Sequence, residues 1–147
     1  MQIAQTDKAY YELLVKYNRL LQQRNRILKE IRDNNGDKVQ LNLWNNELSA
    51  SAARIIKKRL AALEELLVIA SGIYASIAGG SESMLINYAL KTSNDFILQQ
   101  SDKSENEWQE FYLKELHERQ AFGYSARKYK HLARTVTIYS FMSAASC

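Results

Sequence analysis

Apolar positions recur at helical spacing from the start of the chain. Tyr10, Leu13, Tyr17, Leu20, Ile27 and Ile31 fall on steps of three and four, and Arg24 fills the slot between Leu20 and Ile27. Leu14, Leu21 and Leu28 widen the stripe to the breadth of a core-facing helix surface. This pattern predicts a helix from about Thr6 to Asp33, with Thr6 or Asp7 as its N-cap. Asn34-Asn35-Gly36-Asp37 predicts a stop and a turn, because Gly and Asn accept positive φ at little cost. A second helix is predicted from near Val39 to about Ala78. Leu41, Trp44, Leu48, Ala52 and Ile55 mark its early stripe, and Leu63, Leu66, Ala70, Ile73 and Ile77 its later one. Between Ile55 and Leu63 the spacing shifts, as a stutter does in a coiled coil. At 1.5 Å per residue, such a helix spans about 60 Å, more than the diameter of a small domain. Two long helices joined by a short turn predict an antiparallel, arm-like hairpin.

The pattern changes after Gly79-Gly80. Met84 to Leu90 reads as one strand with imperfect alternation, and Phe96-Ile97-Leu98 as a short helix. Gln99 to Asn106 is a charged link. A last helix is predicted from about Ser104 to Gln120, with Trp108, Phe111, Tyr112, Leu113 and Leu116 on its apolar side. Ser104 with Glu107 three residues later matches a capping box. The predicted fold class is therefore mainly α: a long, coiled-coil-like helical hairpin with a short β segment and a third helix. Residues 1–120 form one such domain. Residues 121–147 have no clear helical periodicity and end in Ser143-Ala144-Ala145-Ser146.

Composition sharpens this division. A chain of 147 residues, 46% hydrophobic and 24% charged, suits one soluble domain. It contains no proline, where average usage of about 5% predicts roughly seven, and that absence permits long helices. The net charge of +4 is unevenly placed. Residues 1–120 hold 16 basic and 16 acidic side chains, whereas the tail holds Arg127, Lys128, Lys130 and Arg134 and no acid. A single cysteine, Cys147, excludes an internal disulfide framework and a thiolate-rich metal site. Two histidines leave little for zinc. No uninterrupted apolar run reaches the roughly 18 residues of a membrane span. The N-terminus lacks the pattern of a secretory signal. These features point to a reducing, cytoplasmic setting.

Catalytic chemistry is hard to find. There is no glycine-rich phosphate loop closed by Gly-Lys-Ser or Gly-Lys-Thr, no dinucleotide-binding glycine pattern and no Gly-x-Ser-x-Gly elbow. His117 lies among helix charges without a Cys or Ser partner, and Glu64-Glu65 reads as an exposed pair. An enzyme acting alone is not expected. Basic side chains do cluster: Arg24, Arg26, Lys29 and Arg32 on the first helix, and Arg54, Lys57, Lys58 and Arg59 on the second. Such groups can follow DNA phosphates, and they can equally be a solvated face tied by pairs one turn apart.

Four local strings converge on one family. Leu20 to Leu28, with Gln23-Arg24-Asn25 at its centre, resembles the L-x-QRN-x-L helix of RecF. Leu43 to Leu48 resembles its Trp-Asp/Asn-x-x-Leu segment, and Ala53 to Leu60 the R-I-I-x-x-R helix that follows. Ile77 to Tyr88, through Gly79-Gly80 and Glu82, resembles its glycine-led strand entry. The chain thus resembles the middle, helical-arm region of RecF, a DNA replication and repair family related to SMC and Rad50 ATPases. The resemblance implies, for an intact protein, ATP and Mg binding, ATP-dependent dimerisation and binding of single-strand/double-strand DNA junctions. It also implies work beside RecR and RecO in loading RecA during recombination and the SOS response. The ATP site of the family needs Walker A, signature and Walker B segments, none of which this chain has. The candidate DNA contacts are Arg24, Arg26, Lys29, Arg54, Lys57 and Lys58. Arg24 sits on the apolar stripe, where pairing with Asn25 or Glu47 is the structural alternative. Trp44 and Tyr88 lie in apolar patterns and are expected in the core rather than stacked on bases.

The tail departs from the family, whose sequences continue with Gly-Pro-His-Arg-Asp-Asp and a strand. Here His131 to Ile138 can be encoded so that reading from the third base yields Phe-Gly-Pro-His-Arg-Asp-Asp. Continuing through Tyr139 to Ser143 permits Ile-Gln-Phe-Tyr-Val. The expectation is a frame slip near His117 to Gly123, making 121–147 an out-of-frame, poorly ordered tail. Two rival readings stand beside this one. The first is a stand-alone helical hairpin that binds a partner helix or itself; the second is a small nucleic-acid binder that uses the basic tail.

Overall fold

A computed structural model of the chain describes residues 7–33, 37–78, 83–91, 97–98, 103–121 and 137–143. The fold is mainly helical. Two helices, α1 (Lys8–Arg32) and α2 (Lys38–Ala78), are followed by strands β1 (Ser83–Lys91) and β2 (Ile97–Leu98), a third helix α3 (Glu105–Ala121) and a last strand β3 (Thr137–Ser143). The chain divides into two compact units, residues 1–58 with 102–134, and residues 59–101 with 135–147.

Local chemistry sets each helix start in the first unit. Asp7 is the N-cap of α1, its Oδ1 accepting the Tyr10 N–H at 3.0 Å. Asp37 does the same ahead of α2, accepting from the Val39 N–H at 2.8 Å. The capping box forms at α3: the Ser104 N–H donates to Glu107 Oε2 at 2.7 Å, and the Glu107 N–H donates to Ser104 Oγ at 3.3 Å. The predicted turn at Asn34-Asn35-Gly36 lies outside the described residues.

Cross-helix contacts give the packing direction. Asp7 meets Lys58, Lys16 meets Glu47 and Arg24 meets Asn45, so α1 and this part of α2 run antiparallel. Tyr17 meets Tyr112 and Arg24 meets Leu116, so α3 runs parallel to α1. The core between them holds Tyr10, Tyr17, Leu20, Leu21 and Ile27 from α1, and Leu41, Leu48, Ala52, Ala53, Ile55 and Ile56 from α2. Trp108, Tyr112 and Leu116 complete it from α3, one turn apart along a single face. Trp108 packs edge-on to Phe111 at 5.9 Å. Where the spacing shifts, between Ile55 and Leu63, α2 buries the adjacent pairs Ile55-Ile56 and Arg59-Leu60, so the buried row moves by one position and Leu63 is only half-buried. Ahead of the shift α1 and α3 both contact α2, and the small side chains Ser51 to Ala53 are buried in succession.

In the second unit β1 is the central strand, in the order β2-β1-β3, with both neighbours antiparallel. Its register pairs Ser83 with Ser143 and Ala89 with Thr137, then Leu90 with Leu98. The pairing corrects the helix expected at 96–98. Ile97 and Leu98 are a short strand, because two residues bonded to an existing strand need no helix nucleus; Phe96 lies outside the described residues. Within the tail, for which no ordered element was expected, Thr137–Ser143 is a strand, rich in the β-branched and aromatic residues that suit one. Residues 122–136 and 144–147 lie outside the described residues. From Arg59 onward α2 carries an exposed apolar row, Leu66, Ile69, Ile73 and Ile77, on one face. This helix is long and apolar enough to cross a membrane by length and composition alone, although Glu64 and Glu65 interrupt its apolar run.

Candidate nucleic-acid interface

The six candidate cations fall into three environments. Arg24 is fully buried, which removes it from the set of DNA contacts. Its Nε donates to Asn45 Oδ1 at 2.5 Å and its Nη2 to the Leu116 carbonyl at 3.5 Å. A guanidinium taken out of water needs such acceptors, and here it joins all three helices of the unit. The partners differ from those expected. Asn25 and Glu47 were the candidates, but Asn45 faces Arg24 across the hairpin, and Glu47 sits 3.9 Å from Lys16.

Arg26 and Lys29 are exposed near the C-terminal end of α1. Arg26 is 2.9 Å from Glu30, one turn along the same helix. The third group is on α2. Arg54 Nε lies 3.0 Å from Glu105 Oε1, and Lys57 Nζ 3.4 Å from the Lys103 carbonyl. Lys58 Nζ lies 2.6 Å from Asp7 Oδ2. The hydrogen bond from Lys58, with a second from the Tyr10 amide, holds the Asp7 carboxyl below its ordinary value. Asp7 lies beside Lys58, so about 28 Å of α1 separates this group from Arg26. The structure therefore brings together Arg54, Lys57 and Lys58, and sets Arg26 and Lys29 apart near the opposite end of α1. Sequence spacing did not reveal that Asp7, Lys103 and Glu105 converge on the α2 cluster, because each lies more than forty positions away from its partner.

The remaining candidates are ordinary. Trp44 is partly buried, with its indole nitrogen inside the protein. The Tyr88 side chain and Cys147 lie outside the described residues. His117, Glu64 and Glu65 are exposed, and Arg59 is buried.

No family model matches the chain. The DNA replication and repair protein RecF of Lachnospira eligens is 34% identical over 99 residues, covering 65% of this chain and 27% of that protein. RecF of Agathobacter rectalis is 36% identical over 88 residues, covering 60% and 24%. RecF of Heliobacterium modesticaldum is 31% identical over 120 residues, covering 82% and 30%. The chain thus spans about a quarter of the length of the curated relatives it matches. In fold it is similar to the recombination mediator protein RecF with ATP in the RecFOR pathway. The TM-score is 0.74 at 24% identity, over 95% of this chain and 36% of that one. A second RecF structure, with an ATP analogue, gives 0.69 over 92% and 35%. By sequence and by fold, this chain carries a helical segment of the RecF family of DNA replication and repair proteins.

Proposed function

We propose that the chain is the helical-arm segment of a RecF-like recombination mediator. In this role it contacts DNA near single-strand/double-strand junctions, in the cytoplasm and in concert with RecR, RecO and RecA. The observation that carries this reading is the match to RecF proteins over a segment whose hairpin unit displays Arg26, Lys29, Arg54, Lys57 and Lys58 at its surface. The chain alone neither binds nor hydrolyses ATP, and the intact family's ATP and Mg site belongs to other segments. The basic tail is an out-of-frame product and is not a DNA-binding device.

Fluorescence anisotropy of the full chain with a gapped duplex, a plain duplex and a single strand, titrated across salt, tests this. The expected result is tightest binding to the gapped duplex, with log affinity falling by about 0.9 per phosphate contact for each unit of log salt. Replacing these five cations by Gln then abolishes binding, and replacing Arg127, Lys128, Lys130 and Arg134 by Gln, which keeps strand β3, changes it little. A flat salt response, or binding lost with the tail cations, overturns the reading. The rival helical-hairpin reading draws on the exposed Leu66, Ile69, Ile73 and Ile77 row. It predicts tight association that persists in high salt and without DNA.

A further inference from the structure

We infer that Asp7 and Glu105 are internal stand-ins for phosphate, occupying the Arg54–Lys58 cluster until a polyanion displaces them. The inference rests on the reading that this cluster meets DNA. Each of the three cations already holds an oxygen supplied by another helix start. Asp7 caps α1, and Lys103 and Glu105 open α3. A phosphodiester presents oxygen atoms of the same charge and reach. The ion pairs are accessible: Arg54 and Glu105 keep side-chain exposures of 54% and 49%, and Lys58 and Asp7 of 37% and 36%. A competitor reaches them without opening the core, and exposed pairs of this kind are weakly held and screened by salt. Glu30 is a different case. It pairs with Arg26 along one helix, where such pairs are common, whereas Asp7 and Glu105 reach α2 from separate elements. Displacement leaves the fold intact, because the Asp7 carboxylate still accepts from the Tyr10 amide through Oδ1.

The consequence is a damped salt response. Salt weakens the two internal ion pairs as well as the contacts to DNA, so the carboxylates are displaced more easily as salt rises and part of the loss of affinity is offset. Removing their charge removes that offset. The test compares the full chain, the Asp7→Asn/Glu105→Gln variant and a charge-matched control, Glu64→Gln/Glu65→Gln, whose exposed sites lie six and seven positions beyond Lys58 on α2. Asn caps a helix as well as Asp does, so the first variant keeps its fold. The probe is a fluorescein-labelled gapped duplex titrated across salt. The expected result is roughly three- to tenfold tighter binding by D7N/E105Q at low salt and a steeper log–log slope, with less than about a twofold change in the control. An unchanged affinity, or one matched by the control, overturns the inference. Arg54→Gln/Lys57→Gln/Lys58→Gln separates the two levels. If that triple variant loses binding while D7N/E105Q behaves as wild type, only the masking fails. If the triple variant binds as wild type does, the cluster does not meet DNA and the inference falls with it; if no protein binds, the DNA reading itself fails.

Discussion

Arg24 and Arg26 lie two residues apart on α1, yet the structure gives them opposite work. Arg24 is buried against Asn45 and the Leu116 carbonyl, whereas the Arg26 side chain is 74% exposed beside Glu30. Arg24→Met leaves buried acceptors without their donor and should lower unfolding free energy by about 2–4 kcal/mol. Arg24→Lys should recover little of this, because an ammonium gathers its donors on one nitrogen and cannot occupy both the Nε and Nη2 positions from which Arg24 reaches Asn45 and Leu116. Arg26→Met should change stability by less than about 0.5 kcal/mol. Urea denaturation followed by far-UV circular dichroism measures all three, and equal losses at Arg24 and Arg26 would contradict the burial argument. The slot that Arg24 occupies in the apolar stripe was legible in the sequence and opened the structural alternative, but the residue still stood among the expected DNA contacts until its burial removed it. Its partner was not legible. Asn45 lies on another helix, and which side chain faces Arg24 depends on how the two helices are rotated against each other.

At the scale of the helix, the starts of α1 and α3 make the stability of the first unit sensitive to acid. The Asp7 carboxyl is held low by its hydrogen bond from Lys58 and then by the Tyr10 amide; the Glu107 carboxyl is held low by the Ser104 amide and then by its hydroxyl. A carboxyl whose value falls on folding contributes stability above its unfolded value, and loses that contribution as pH drops through the folded one. Helical ellipticity should therefore begin to decline below roughly pH 4, with a shallower decline in Asp7→Asn/Glu107→Gln, whose amides do not titrate. An unchanged acid profile in that variant would assign the transition to other carboxylates. Ser104→Ala probes the α3 start without a charge change, and the loss of the hydroxyl acceptor should cost about 0.5–2 kcal/mol. These caps were legible because a cap is written within four consecutive residues. The strand at Ile97–Leu98 was not, since its partners Leu90 and Lys91 arrive only when the chain folds back.

For the whole molecule, the sequence carried the long helices openly. The missing proline and the unbroken stripes announced α1 and α2, and the four local strings pointed to the same family as the matches of 31–36% identity. The tail is where pattern reading stops, because a sheet partner and a coding frame are both invisible to periodicity. The strand at Thr137–Ser143 does not decide between frames. Thr, Ile, Tyr and Phe favour a strand as written, and Ile-Gln-Phe-Tyr-Val from the shifted frame alternates as a strand too. The acid-free composition of 121–147 and the string His131 to Ile138 do bear on it, since each codon overlap fixes two of three bases and the match runs through six residues in a row. The DNA encoding the last thirty codons should therefore contain Gly-Pro-His-Arg-Asp-Asp out of frame, followed by further RecF-like sequence. Restoring that frame should yield a longer chain that gains acidic residues and proline where the present tail has neither. If none of the three frames contains the string, the basic tail is a selected part of the protein. Arg127, Lys128, Lys130 and Arg134 would then be the first residues to neutralise in a DNA-binding assay.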